Sequence, residues 1–283
     1  MSSKKLLVTK ANGQIVTFSE AKVANSMRRT GVDKKTIEEI LRTIRPKFKS
    51  KMHTKEIYRL VNQELEKRKP WAAARFTLRE AIVKMGPAGY NFEKYVAAIL
   101  DAYGYKAETP EELQGACITH EVDVMAEKDG RTIFIEAKFR HDFRATIGIK
   151  DTMSTWTRFL DLVDGSKVDL CPHFDEAWLV TNARFTDQSL KFGHCKNMMM
   201  IGWNHPKERS FANMVDLDSL YPITIIGQLT KVELEKFAQA DLMLCREIEG
   251  STAESLHEKT GITIKRLDVI LPLCEQVIKG DDA

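Results

Sequence analysis

Two spacings of apolar residues alternate along this chain. Segments 6–10 and 14–18 place apolar and polar residues in turn around Ala11-Asn12-Gly13, which predicts a β-hairpin, because Asn-Gly suits the left-handed backbone of a tight hairpin turn. Helical spacing then takes over. Ser19 can cap a helix ending before Gly31, Asp33 a second, and Thr54 a third that runs to Pro70, with a fourth expected over 71–85. Residues 85–89, Met-Gly-Pro-Ala-Gly, read as a linker.

Beyond the linker, Phe92, Tyr95, Val96, Ile99, Leu100 and Tyr103 fall on one face of a helix expected over 89–103. Period two returns in strands over 121–127 and 131–139, joined at Asp129-Gly130. A strand over 176–181, a helix over 186–196 and a strand over 197–203 follow. From about Tyr221 the chain is helical again, near 230–248, 251–260 and 264–279. This order predicts an α/β fold in which a mixed sheet is covered by helices, within three domains at 1–86, 88–215 and 216–283. Leu242, Cys245, Leu256, Ile264, Leu267 and Ile270 read as core of the last, net-acidic segment, whose expected use is packing or oligomerisation. A helix-hairpin-helix around Gly261 would need a glycine-rich hairpin that the sequence lacks.

Length and composition narrow the classes. A chain of 283 residues is long enough for more than one core, and 43% hydrophobic with 29% charged residues is ordinary for a folded protein. No apolar run reaches membrane-span length and the N-terminus lacks a signal-peptide core, so the expected location is the cytoplasm, away from membranes. Cys117, Cys171, Cys195, Cys245 and Cys274 show no CxxC spacing and are expected to be reduced thiols. Cys171-Pro-His173 and His194-Cys195 suggest zinc, but the usual ligand spacing is missing. Charge is divided unevenly: residues 1–86 hold 21 Lys and Arg against 8 Asp and Glu, and the remainder 22 against 32. A basic N-terminal segment points to an anionic partner such as a nucleotide or nucleic acid.

The densest chemistry lies between Glu121 and Lys138. Alternate residues of a strand share a face, so Glu136 and Lys138 project to the same side. A two-residue turn at Asp129-Gly130 would set residue 128 opposite 131 and, further out, Asp123 opposite Glu136. Opposed carboxylates about 5 Å apart repel unless a cation lies between them, and the natural candidate is Mg²⁺ or Mn²⁺. Lys138 could then orient a water or offset charge growing on phosphate oxygens, giving a site for phosphodiester hydrolysis. Arg140, His141, Arg144, Lys150 and Arg158 form a basic stretch that would contact the backbone of DNA, and His141 could also donate a proton to the leaving group.

Asp123 with Glu136-Ala-Lys138, the preceding segment Gly89-Tyr-Asn-Phe92-Glu93, and the later Leu179-Val-Thr181-Asn182 and Phe185-Thr186 resemble the PD-(D/E)xK nucleases in their Mrr-like restriction endonuclease branch. The likeness covers about 88–205 and implies a metal-dependent DNA endonuclease with Asp123, Glu136 and Lys138 catalytic and Glu93, Asp123 and Glu136 on the metal. The proline that often precedes the aspartate is replaced by Val122.

Residues 5–86 resemble the ATP-cone, a nucleotide-binding module. The matching residues are Val8-Thr9-Lys10-Ala11-Asn12-Gly13, Val16, Phe18, Lys22, His53-Thr54 and Ala72-Ala-Ala-Arg75-Phe76. Lys10, Lys22 and Thr54 can face a polyphosphate, which implies ATP or dATP as an effector. Ala11 stands where the family usually has arginine, so one cation is missing. Other readings are a catalytically silent, nucleotide-sensing DNA-binding regulator and an RNA nuclease.

Overall fold

A computed structural model describes residues 6–10, 13–86, 91–110, 112–142 and 144–282. Strands β1 (Leu7–Thr9) and β2 (Ile15–Thr17) pair antiparallel with Val8 opposite Val16, as the alternation predicts, and β3 (Met52–His53) joins β1 in parallel. The backbone N–H of Lys10 donates to Gln14 at 2.8 Å, and Gly13 takes a left-handed φ of 80°. Ala11 and Asn12 of the expected turn lie outside the described residues, as do residues 87–89 of the expected linker and the Gly89-Tyr90 start of the helix after it.

Helices α1 (Glu20–Arg29), α2 (Lys34–Ile44), α3 (Thr54–Arg68), α4 (Pro70–Phe76) and α5 (Leu78–Met85) follow. Asp33 caps α2 by accepting the Thr36 N–H at 2.9 Å, whereas the side chain of Ser19 makes no cap bond. Thr54 is the first residue inside α3 and His53 holds the cap position, one residue earlier than expected. The single helix expected over 71–85 is divided at Thr77, whose hydroxyl donates to the Ala74 carbonyl at 2.8 Å. Met27, Ile37, Ile40, Ile44, Val61, Leu65, Trp71 and Phe76 form the core between these helices.

The central unit, Ile82–Leu220, is built on a mixed sheet. It contains α6 (Phe92–Ala102), β4 (Lys106–Glu108), β5 (Glu112–Gln114), β6 (Thr119–Glu121), β7 (Val124–Lys128), β8 (Arg131–Lys138), β9 (Thr146–Ile147) and α7 (Ile149–Ser166). After these come β10 (Glu176–Thr181), β11 (Arg184–Phe185), α8 (Asp187–Cys195), β12 (Met199–Ile201) and α9 (Phe211–Leu217). The main sheet has the order β12-β10-β8-β7-β4, with β8, β10 and β12 parallel and β7 antiparallel to both its neighbours.

Two departures from the expected pattern shape the site. The strand foreseen over 121–127 is two strands: β6 ends at Glu121 in a small pair with β5, and β7 begins at Val124 in the main sheet. Asp123 stands at that change of partner. Helix α7, which the apolar pattern does not announce, supplies the crossover that parallel β8 and β10 require. Its inward face begins with Thr152 and Thr155, both buried, and turns apolar only at Phe159 and Leu162, so no helical stripe of hydrophobics appears in its first half. At Gly165 a Cβ would lie 2.9 Å from the backbone of Gly115 and Ala116, so a side chain there would push α7 off the β5–β6 hairpin.

Beyond Tyr221 lie α10 (Lys231–Gln239), α11 (Ala253–Thr260) and α12 (Ile264–Lys279). The helix foreseen to 248 stops at Gln239, and Asp241 is left-handed at φ 56°. These helices pack with the N-terminal segment, so the three sequence segments form two compact units, one of them made of Met1–Ala81 with Tyr221–Ala283. Arg75 of α4 is the main polar link: it donates to the carbonyls of Val277 and Ile278 at 2.8 and 2.9 Å and to Thr30 at 3.0 Å. Lys69 and Trp71 both donate to the Asp281 carboxylate.

Within the same unit, Glu64 on α3 is 4% exposed, and Arg68, Lys67 and Lys47 surround its carboxylate. The hydrogen bond from Arg68 leads, against the opposing effect of burial, in holding its pKa down at about 2. A carboxyl lowered from 4.5 in this way stabilises the fold fully above about pH 5, and that contribution fades as pH falls toward about 2. Glu64→Gln is therefore expected to cost about 1–3 kcal/mol at pH 7 and progressively less in acid. Thermal melts of both proteins from neutral pH into acid check this, and a difference that does not shrink would contradict it.

Candidate active site

The β7–β8 hairpin closes through Asp129 and Gly130, both with left-handed φ, 52° and 74°, and Lys128 pairs with Arg131. That register continues to Val124 opposite Ile135, so the next step outward sets Asp123 beside Glu136. Asp123 accepts the backbone N–H of Ala137 at 2.7 Å. Glu136 is 1% exposed, in the middle of the sheet. The compensating cations belong to the chain itself: Lys138, on the same face of β8, pairs with Oε1 of Glu136, and Arg158 of α7 pairs with Oε2. Arg158 also donates to the carbonyl of Glu121. Sequence reasoning assigned the whole task of separating the carboxylates to a metal, whereas two side chains already share it.

Burial first, then the charge of Glu136, pushes the Asp123 carboxyl up to about 6; the Ala137 N–H and Lys138 pull it down, and Glu93 pushes it up further. Glu93 lies in the first turn of α6, behind the Asn91 cap, close enough for its charge to be felt at Asp123. Two carboxylates and a third nearby are hard oxygen donors of the kind that hold Mg²⁺ or Mn²⁺. In chemistry they fit such an ion, although among the described residues no group of three or more His, Cys, Asp and Glu is drawn together as a ready metal cluster. The same holds for zinc: Cys171 instead donates to the Leu162 carbonyl at 3.2 Å, and Cys195 is exposed.

Residues around the end of β8 fix this arrangement. Thr181 donates to the Lys138 carbonyl at 2.6 Å, and the amide of Asn182 both accepts from and donates to the backbone of Arg140, at 2.8 and 2.9 Å. These two buried side chains continue the β8–β10 pairing past the end of the strands. Asp161, three residues beyond Arg158 on α7, accepts from the N–H groups of Cys117 and Ile118 at 2.9 and 3.3 Å and meets His120 Nε2 at 2.8 Å. Burial would raise the Asp161 carboxyl, but bonds from Cys117 and His120 outweigh it and hold it at about 2. Neither Asp161 nor Arg158 as a partner of Glu136 is foreseen from sequence; a carboxylate and a guanidinium one turn apart on α7 are their only trace.

The basic stretch is distributed otherwise than expected. Arg158 is turned inward onto Glu136, because α7 packs this face on the sheet and the guanidinium is the nearest cation to a buried charge. Arg140 pairs with Asp151 at 3.2 Å and Arg144 with Asp142 at 3.0 Å. His141, whose ring meets Phe139 edge-on at 4.8 Å, and Lys150 at the start of α7 are exposed. A hollow of about 430 Å³ lies at the opposite ends of β8 and β10, against Arg131, Asp175 and Glu176, and includes none of the expected site residues.

In the first unit, Lys10, Lys22 and Thr54 line one cavity of about 190 Å³. Its walls include Val8, Phe18, Tyr58 and Phe76, and the last two rings stack with centroids 4.3 Å apart. Tyr58, one helical turn after Thr54, is absent from the sequence reading, although that spacing puts it on the same face of α3.

Residues 6–80 match the ATP cone domain, 87–202 a restriction endonuclease domain, and 221–278 the domain described as AF1548-like, C-terminal. An uncharacterized protein of Archaeoglobus fulgidus is 31% identical over 183 residues, which cover 65% of this chain and 99% of that one. The crystal structure of AF1548, a protein described as of unknown function, is similar with a TM-score of 0.57 and 30% identity, covering 67% of this chain and 99% of that chain. No helix among the described residues is long and apolar enough to cross a membrane. With a relative this similar along nearly its whole length, the chain belongs to the AF1548-like family, here as an ATP cone and a restriction endonuclease domain followed by the AF1548-like C-terminal segment.

Proposed function

We propose that this protein is a divalent-metal-dependent DNA endonuclease whose activity responds to ATP or dATP bound by its cone. The observation that carries the reading is a nearly water-free Glu136 placed beside Asp123, with Lys138 on the same strand face, inside a domain of the restriction endonuclease type. A surface hairpin has no reason to bury one carboxylate next to another. Asp123, Glu136 and the nearby Glu93 would hold Mg²⁺ or Mn²⁺, which supplies a Lewis acid for the phosphate and a more acidic water. Lys138 Nζ is then the group that offsets negative charge on the phosphate oxygens, at the solvent side of the carboxylates: its side chain is 33% exposed, that of Glu136 2%. Lys150, His141 and Arg144 are exposed members of the basic stretch and suit contact with the DNA backbone, with Arg140 beside them.

The cone cavity supports the regulatory half. Lys10 and Lys22 bring positive charge and Thr54 a hydroxyl in the first turn of α3, while Tyr58 and Phe76 offer an aromatic wall. Those are the complements of a polyphosphate and a purine.

Three measurements test this reading. Glu136→Gln should abolish plasmid cleavage in Mg²⁺ or Mn²⁺ while leaving DNA binding in gel shifts intact, and Lys138→Ala should slow cleavage by roughly 10²–10³-fold. Equal cleavage by wild type and Glu136→Gln would remove Glu136 from the mechanism; absence of cleavage by the wild type with every metal and nucleotide would favour the regulator. Asp123→Asn should stabilise the metal-free protein at pH 8 by about 1–3 kcal/mol, because a carboxyl raised from 3.8 to about 6 costs stability as pH climbs through that window and nothing below it. Denaturation at pH 4 and pH 8 reads the difference, which should vanish at the lower pH. Lys22→Ala should weaken ATP or dATP binding roughly tenfold by calorimetry, and a wild type that takes up neither nucleotide would leave the cone a structural role.

A further inference from the structure

Both oxygens of Glu136 are engaged inside the chain, one by Lys138 and one by Arg158, so a divalent cation that ligates this carboxylate must share an oxygen with one of these cations or displace it. We propose that Arg158 is the one displaced: a positioning residue that serves as the resting counter-ion of Glu136 and competes with the divalent cation for one of its oxygens. This rests on the metal-site reading above and adds a determinant of metal affinity to it.

The two cations differ in what they can do on release. Lys138 rises from the same strand face as Glu136, and the only other group on which its charge is seen to act is Asp123, within the same site, among the described residues. Arg158 reaches in from α7 with a planar fork: one Nη meets Glu136, the other donates to the Glu121 carbonyl, and the guanidinium carbon lies 5.8 Å from the centre of the Phe134 ring. It can let go of Glu136 and still keep a carbonyl and an aromatic face. Helix α7 itself is anchored, by Asp161 on the Cys117 and Ile118 amides and His120, and by Asp151 on Arg140. The side chain can swing while its helix stays.

Charge balance gives the sign. Without metal, Glu136 and Asp123 face Lys138 and Arg158, and a buried carboxylate with fewer cations would be uncompensated. With metal, the same guanidinium is a like charge next to the incoming ion. Arg158 thus keeps the site formed beforehand at the expense of metal affinity, and neutralising it should tighten binding.

The test is Mn²⁺ affinity at pH 8 by calorimetry for wild type, Arg158→Met, Arg158→Gln, Arg158→Lys and Glu136→Gln. Arg158→Met and Arg158→Gln are expected to bind Mn²⁺ roughly tenfold more tightly or better, about 1.4 kcal/mol per decade, and to gain more in melting temperature from Mn²⁺ than the wild type. Arg158→Lys should stay near wild type, and Glu136→Gln should lose binding. In the wild-type protein, the arginine Nε–H resonance missing from Arg158→Lys should shift on saturation with Mg²⁺, which keeps the test open if the neutral variants do not fold. Mn²⁺ binding by folded Arg158→Gln no tighter than wild type, or an unmoved resonance at saturating Mg²⁺, overturns the role of Arg158 while loss of binding in Glu136→Gln leaves the metal site standing. Binding unchanged in Glu136→Gln, or absent from the wild type, overturns the metal site and the Arg158 inference together.

Discussion

One negative charge, on Glu136, sits almost out of water in the middle of a five-stranded sheet, and the central unit is arranged around compensating it. An unpaired carboxylate in such a place costs several kcal/mol, enough to decide which neighbours can be tolerated. Strand parity supplies Lys138; no residue of β8 can supply a second cation on the other side, so a helix must. That gives α7 a task beyond connecting two parallel strands. Its docking through Asp161, Asp151 and the bare surface of Gly165 fixes where the guanidinium of Arg158 arrives.

The cone meets a related difficulty with different means. Glu64 is nearly as secluded as Glu136, but three cations hold it ionised, and among the described residues no second acid pairs with them. Asp123 and Glu136 lack that surplus, and burial first, then the charge of Glu136, raises the Asp123 carboxyl. The contrast separates a structural buried acid from one that leaves an electrostatic demand open, which is the property a metal site needs.

Much of this was legible in the chain because local rules fix it. Asp129-Gly130 set the turn, the turn set the register, and the register set Asp123 beside Glu136; the cone residues Lys10, Lys22 and Thr54 likewise converge on one cavity. What escaped depends on partners far along the sequence. Helix α7 hides because buried threonines satisfy their hydroxyls on their own helix and leave no apolar stripe. Arg158 reads as a surface cation until the buried acid 22 residues earlier claims it. The break of the strand at Val122-Asp123 follows from a change of pairing partner, which no alternation of residues encodes.

The hydrogen bonds from Arg75 to carbonyls in the last turn of α12 join residues about two hundred positions apart, with the entire central unit between them in sequence. Thr224 and Ala81 flank that unit in sequence, and the Thr224 hydroxyl donates to the Ala81 carbonyl at 2.7 Å. In synthesis, the central unit therefore has all of its own residues before the unit that flanks it in sequence does, and the cone waits for α12 before its packing can close.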